Sequence, residues 1–226
     1  MEAARLHRAR ERRQRGLTLV EGPDLLADVI AAGGNVRETF ALEATDDGVV
    51  PVDQRALERL AGTKTPRGPV AVVEIPTESL DPSRNLLVSV GVSDPGNVGT
   101  MIRTAAAFGW GFAHMGGSAD PWAPKTIRAG AAGQFQTAVA RVEALTELSG
   151  WTLVATVAEG GDVVESVVER PVALLIGEEA HGLEDWMLEA SAHRVSIPTP
   201  GQTESLNAAV AAGIAVYVLS KGFGST

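Results

Sequence analysis

Five consecutive apolar residues, Val172-Ala173-Leu174-Leu175-Ile176, run straight into Gly177. No polar residue alternates among them, so the segment is not a strand with one wet face. It reads as a strand covered on both sides, the situation of a parallel sheet held between layers of helix. A similar run, Leu86-Leu87-Val88-Ser89-Val90-Gly91-Val92, leads into a Gly/Pro loop and a helical segment closed by Gly109. Trp151 to Val157 is a further strand, and Val195 and Ile197 mark a short one that stops at Pro198. The expectation is an α/β fold with a mostly parallel sheet. Its ligand site should lie beyond the carboxyl ends of the strands.

The first third of the chain alternates shorter elements. Residues 3–15 read as a polar helix broken at Gly16, followed by a strand over Leu17–Val20 and a helix opened by Pro23. A strand over Val36–Leu42, a turn at Asp46-Asp47-Gly48, a helix around Ala56–Leu60 and a strand over Val70–Val73 complete it. This alternation implies a small α/β unit. With Pro76 to Arg84 as the linker, the expected division is a domain over residues 1–78 and a larger one over 84–226.

Composition narrows the chemistry. The chain has no cysteine, which excludes disulfides and thiolate nucleophiles, and its four histidines lack zinc spacing. No metal site is expected. No apolar run approaches the roughly 20 residues that cross a bilayer. The arginine-rich N-terminus lacks the apolar segment of a signal peptide, so a cytoplasmic protein is expected. The net charge of −9 is unevenly spread: residues 1–78 hold 11 Lys/Arg against 13 Asp/Glu, and residues 79–226 hold 8 against 15. Arg5, Arg8, Arg10, Arg12, Arg13 and Arg15 crowd the start. They suit either a solvated helix face or a phosphate-contacting arm. Lys125 and Arg128, three apart, share a helix face and leave the same two options.

Three strand ends carry longer patterns. IPTPGQTESLNAAVAAGIAVY, starting at Ile197, has Pro and Gly where regular structure must stop, then a small-residue helix with Thr203 or Ser205 as the expected N-cap. It resembles the third signature motif of the SpoU/TrmH class of SPOUT RNA methyltransferases, I-P-M-x-G-x-x-x-S-L-N-x-(S/A)-x-A. Asp94-Pro95-Gly96-Asn97-Val98-Gly99, continuing through Arg103 to Phe108-Gly109, is similar to that class's first motif. Gly177-Glu178-Glu179-Ala180-His181-Gly182-Leu183 is similar to its second, G-x-E-x-x-G-(L/I). LTLVEGPDLLADVI and TKTPRGPVAVVEIP resemble the RNA-binding, ribosomal-protein-like domain that many members carry. The stretch ending Pro124-Lys125-Thr126-Ile127-Arg128 departs from the family's P-K-x-x-R-A-S, because Gly130 stands where the family has serine.

The resemblance implies a C-terminal trefoil knot cradling S-adenosylmethionine, and a homodimer whose sites draw on both protomers. Sequence physics alone does not propose such threading. It implies methylation of a ribose 2′-hydroxyl in RNA, foremost ribosomal RNA, because of the extra N-terminal domain. Gly177, Ile197, Leu206, Thr156 and Val157 would hold the cofactor, and Arg103, Asn97, Glu179, Ser205 and Asn207 would form the catalytic set. Transfer from a sulfonium needs proximity, alignment and removal of the hydroxyl proton. Arg103 would either stabilise the developing alkoxide or act as an unusual base. His181, at a variable motif position, is expected to be exposed and not catalytic. The alternatives are an inactive RNA-binding protein of the same fold, a tRNA 2′-O-methyltransferase, and an α/β oxidoreductase. The absence of a G-x-G-x-x-G fingerprint weighs against the last.

Overall fold

The computed structural model describes residues 2–44, 48–66, 68–77, 79–167, 169–199 and 205–221. The chain begins with a 3-10 turn at Ala3–His7 and then α1 (Ala9–Arg15). The single helix expected over 3–15 is therefore broken, with Arg8 extended at φ −90° and ψ 128°. The break lets Ala3 and Leu6 bury against Leu19, Phe40, Leu57 and Leu60, which one straight polar helix would not allow. Next come β1 (Leu17–Glu21), α2 (Pro23–Ala31), β2 (Val36–Ala41), β3 (Val49–Pro51), α3 (Gln54–Ala61) and β4 (Val70–Glu74). Their four-stranded sheet has the order β1-β4-β2-β3, with β4 antiparallel to both neighbours and β3 parallel to β2. Asp46 and Asp47, read as a turn, lie outside the described residues.

The rest of the chain forms β5 (Leu86–Val90), α4 (Pro95–Ala107), β6 (Gly111–Met115), α5 (Pro124–Gly130), β7 (Val139–Arg141) and β8 (Thr152–Thr156). It continues with β9 (Asp162–Val163), β10 (Val172–Ile176), α6 (Asp185–Ala190), β11 (His193–Ser196) and α7 (Ala208–Ser220). Seven strands make one sheet, ordered β7-β6-β5-β10-β8-β11-β9, and every pairing in it is parallel. The apolar run 172–176 is its central strand, buried along its whole length. Alternate residues of β10 feed two cores, Val172, Leu174 and Ile176 on one face and Ala173 and Leu175 on the other. That is why the run shows no polar alternation.

Local chemistry sets the ends of the two helices that matter most. Asp94 caps α4, its carboxylate accepting from Asn97 N at 2.9 Å, and Pro95 takes the first helical position. The C-terminal end of α7 is tied down twice. Arg170 Nη2 donates to Leu219 O at 3.0 Å, and Trp110 Nε1 donates to Ser220 Oγ at 3.0 Å. Burial holds the Arg170 guanidinium below its usual pKa, partly offset by Glu169.

The two sheets are joined by a packed seam. Val20, Val29, Ala71 and Val73 form one apolar cluster with Ile127 and Ala132 from the other side. Around it Arg12 donates to Asp120 at 2.5 Å, Thr18 to Trp122 O at 2.6 Å, and Arg128 to Glu21 at 2.9 Å. Among the described residues no helix is long and apolar enough to cross a membrane.

Candidate active site

A cavity of about 450 Å3 opens at the carboxyl ends of β8, β10 and β11. That size falls within the roughly 300–1,000 Å3 of sites that hold small molecules. Its inner wall is apolar, from Val164, Ile176, Leu183 and Val195. Thr156, Val157, Gly177, Ile197 and Leu206, all singled out from the sequence, line it, and so do Glu179 and Ser205. Thr156 Oγ1 donates to Leu175 O at 2.9 Å, so its one proton is committed and its oxygen is left only to accept.

The loop after β10 is folded tightly on itself. A Cβ on Gly177 would overlap the backbone of Gly182 and come 2.7 Å from Leu183 N. From the sequence, this glycine is expected among the residues that hold the cofactor. The approach it demonstrably permits is that of its own loop, which forms an isolated bridge between Glu178 and Gly182. His181, with its side chain 83% exposed, donates Nδ1 to Glu178 Oε1 at 2.6 Å. Both residues sit on the cavity rim, which carries Glu178 and Glu179 and, among the described residues, no Lys or Arg. This negative edge suits a cationic ligand such as a sulfonium. Sequence reasoning passed over Glu178 and the cavity roles of Leu183 and Ala208. The adjacent Glu178-Glu179 pair and the apolar end of the second motif were the available signals.

Beside the cavity the three motif loops are joined by side chains. Asn207 Nδ2 donates to Asn97 Oδ1 at 3.0 Å, and Asn97 Nδ2 donates in turn to Glu179 Oε1. Asn207 Oδ1 meanwhile accepts from Ala209 N at 3.0 Å and Val210 N at 3.2 Å, which makes Asn207 the cap of α7. The cap expected at Thr203 or Ser205 is thus displaced to Asn207. Ser205 precedes the helix by three residues, and Thr203 lies outside the described residues, as do Pro200 and Gly201. Each amide has one possible orientation, because its oxygen and nitrogen are both committed.

Arg103 stands apart from this chain of hydrogen bonds. It is exposed on α4 and makes no hydrogen bond or ion pair among the described residues. Its neighbours do not enclose it: Phe108 is 41% exposed. Arg12 is the opposite case. Read from the sequence as part of either a solvated helix face or a phosphate-contacting arm, it is 3% exposed and committed to Asp120 and Leu6 O. Arg128 pairs with Glu21, whereas Lys125 is exposed. Gly130 leaves space that the Gln134 amide fills, since a Cβ there would come 2.7 Å from Gln134 Oε1. Among the described residues no cluster of His, Asp or Glu could hold a metal ion.

Residues 84–217 match the SpoU rRNA Methylase family. A 23S rRNA (guanosine(2553)-2′-O)-methyltransferase, RlmP of Bacillus subtilis strain 168, is 32% identical over 95% of this chain and 93% of its own. Among solved structures, the SpoU methyltransferase AviRb of Streptomyces viridochromogenes, in complex with AdoMet, superposes with a TM-score of 0.86 at 27% identity. That match covers 98% of this chain and 96% of AviRb. An AdoMet-bound rRNA methyltransferase of Sinorhizobium meliloti gives 0.85 at 25% identity, covering 99% of this chain and 94% of that one.

Proposed function

Because the chain belongs to the SpoU rRNA methylase family, we propose that it methylates a ribose 2′-hydroxyl of RNA, foremost ribosomal RNA, using S-adenosylmethionine. The observation that carries this reading is the convergence of Asn97, Glu179 and Asn207, one from each motif, beside an apolar cavity with a carboxylate rim. Backbone around Gly177, Ile197 and Leu206, with Thr156 and Val157, would hold the cofactor there. When bound, it supplies a methyl group that is already electrophilic on a sulfonium.

The chain's own residues then have three tasks. The Asn207–Asn97–Glu179 link fixes the loops, with Ser205 at the cavity mouth helping to seat the ribose. Arg103 stabilises negative charge developing on the ribose oxygen as the hydroxyl proton passes to solvent water. A guanidinium offers hydrogen-bond donors and no acceptor, so electrostatic stabilisation suits it better than proton abstraction. Its exposure, with no partner among the described residues, supports this role. The unit over residues 1–78 binds RNA, with exposed Arg8, Arg10 and Arg13 meeting phosphates.

The working form is a cytoplasmic homodimer in this reading. Val210, Ile214 and Tyr217 form one exposed stripe on α7, and Phe108 packs edge-on against Tyr217 with centroids 6.2 Å apart. A monomer seldom leaves such a patch uncovered. The trefoil knot expected of the family belongs to the same proposal.

Two measurements test the reading. Labelled S-adenosylmethionine with ribosomal RNA should yield 2′-O-methylribose, and no incorporation refutes the activity. Under single-turnover conditions with saturating RNA, Arg103→Ala should be slower by about 10²–10³-fold with cofactor binding intact. A near-normal rate removes Arg103 from the chemistry.

A further inference from the structure

Nothing holds the Arg103 side chain among the described residues, so what the fold fixes is the backbone it stands on. A Cβ on Gly133 would come 3.2 Å from Arg103 Cα and 3.4 Å from its N. The 3-10 turn Gly133–Phe135 therefore lies directly against the part of α4 that bears Arg103. The residues leading into that turn, Ala131 and Ala132, hold φ of 45° and 58°. Alanine adopts this left-handed conformation only where surrounding structure over-determines it.

The surrounding structure is a tripeptide gripped from two sides. Gln134, almost fully buried, donates Nε2 to Pro121 O at 3.1 Å, and the Phe135 ring meets Trp122 edge-on with centroids 5.5 Å apart. From the N-terminal unit, fully buried Thr18 donates to Trp122 O at 2.6 Å, and Arg12 donates to Asp120 Oδ2 at 2.5 Å. Asp120 is itself fixed: its Oδ1 accepts from Trp122 N at 2.9 Å and its carbonyl from Thr126 Oγ1 at 2.9 Å. An unbroken path of packed and hydrogen-bonded groups thus runs from Thr18 and Arg12, through Asp120-Pro121-Trp122, to Gly133 and Arg103.

We propose that Thr18 and Arg12 are positioning residues for Arg103, acting through Asp120-Pro121-Trp122 and the 131–135 turn. The seat of the N-terminal unit then sets the placement of the catalytic arginine. The proposal rests on the role given to Arg103 above. Methyl transfer is sensitive to small displacements of this kind, since about 1 Å of misplacement can cost on the order of a hundredfold in rate.

The experiment uses the full chain, ribosomal RNA and S-adenosylmethionine, both saturating, in single-turnover format. Thr18→Val keeps shape but removes the donor to Trp122 O. It should slow methyl transfer about tenfold while calorimetry shows unchanged cofactor affinity. Thr18→Ser restores the donor and should recover the rate to within about twofold, an outcome a general packing defect would not give. In an Arg103→Ala background, Thr18→Val should add little further loss, because both act on one group. Wild-type turnover in Thr18→Val, no rescue by serine, or a fully additive loss on Arg103→Ala overturns the proposal. If Arg103→Ala alone turns over normally, the role of Arg103 has failed first, and that single variant separates the two failures. Should Thr18→Val not fold by circular dichroism, Asp120→Asn takes its place: methyl transfer should slow about tenfold with unchanged cofactor affinity and little further loss on Arg103→Ala, and a parental rate or a fully additive loss overturns the proposal.

Discussion

Replacing Asn207 separates two tasks that one side chain performs. Its oxygen caps α7 through Ala209 N and Val210 N, while its nitrogen donates to Asn97. Asn207→Ala loses both. The cap is worth about 1 kcal/mol, and the half-exposed amide–amide bond about 1 kcal/mol more. For a chain of this length, about 2 kcal/mol corresponds to a drop in Tm of roughly 4–8 °C. Asn207→Asp keeps the cap and adds a favourable charge at the helix N-terminus, worth about 0.3–1 kcal/mol. It also turns a carboxylate oxygen toward Asn97 Oδ1. Asn97 cannot flip its amide in response, because its nitrogen is committed to Glu179. The aspartate variant should therefore melt within about 2–4 °C of the parent, since its losses and gains nearly cancel at about 1 kcal/mol. Even so, it should transfer methyl groups as poorly as the alanine variant. Differential scanning calorimetry and single-turnover methylation on the same preparations decide the matter. If aspartate melts below alanine, or if it methylates at the parental rate, the division between cap and link is wrong.

Gly177→Ala must push a methyl group into the Gly182–Leu183 backbone, so it should destabilise by about 1–3 kcal/mol and weaken cofactor binding measured by calorimetry. Replacing Arg8, Arg10 and Arg13 together by glutamine should flatten the salt dependence of RNA binding by roughly 0.7–0.9 per lost phosphate contact. Arg12→Ala should behave differently. It leaves Asp120 without its cation and should lower stability on the order of 3 kcal/mol in a denaturation curve. Ile214→Asp puts a charge in the exposed α7 stripe and should yield a monomer by sedimentation if that stripe is the dimer face.

Where pattern is local, the sequence was informative. Val172–Ile176 announced a strand buried on both faces, and Asp94-Pro95 announced a helix start, because burial and capping leave their marks within a few residues. The cap of α7 was misplaced because Thr203, Ser205 and Asn207 are all competent caps. The deciding contact, Asn207 with Asn97, spans 110 residues. Arg12 was misjudged for a similar reason. Among six nearby arginines it looked solvated, and its partner Asp120 lies 108 residues away. Gly130 could be noticed as a departure from the family's serine, but only the fold shows Gln134 filling the space. Arg103 was assigned by resemblance, and its exposed setting could not be inferred from the alanines around it.

The position of β10 bears on how the protein is made. Strands β5, β6 and β7 leave the ribosome early and can pair among themselves, but the other edge of β5 waits for residues 172–176. β8 waits as well, because its pairing with β5's half of the sheet runs only through β10. Until then a nascent chain carries an open, hydrophobic strand edge of the kind that recruits other chains. Non-local parallel pairing also closes slowly. A chaperone that shields β5 during that interval would favour yield, and a chain truncated before residue 172 would keep that edge open permanently.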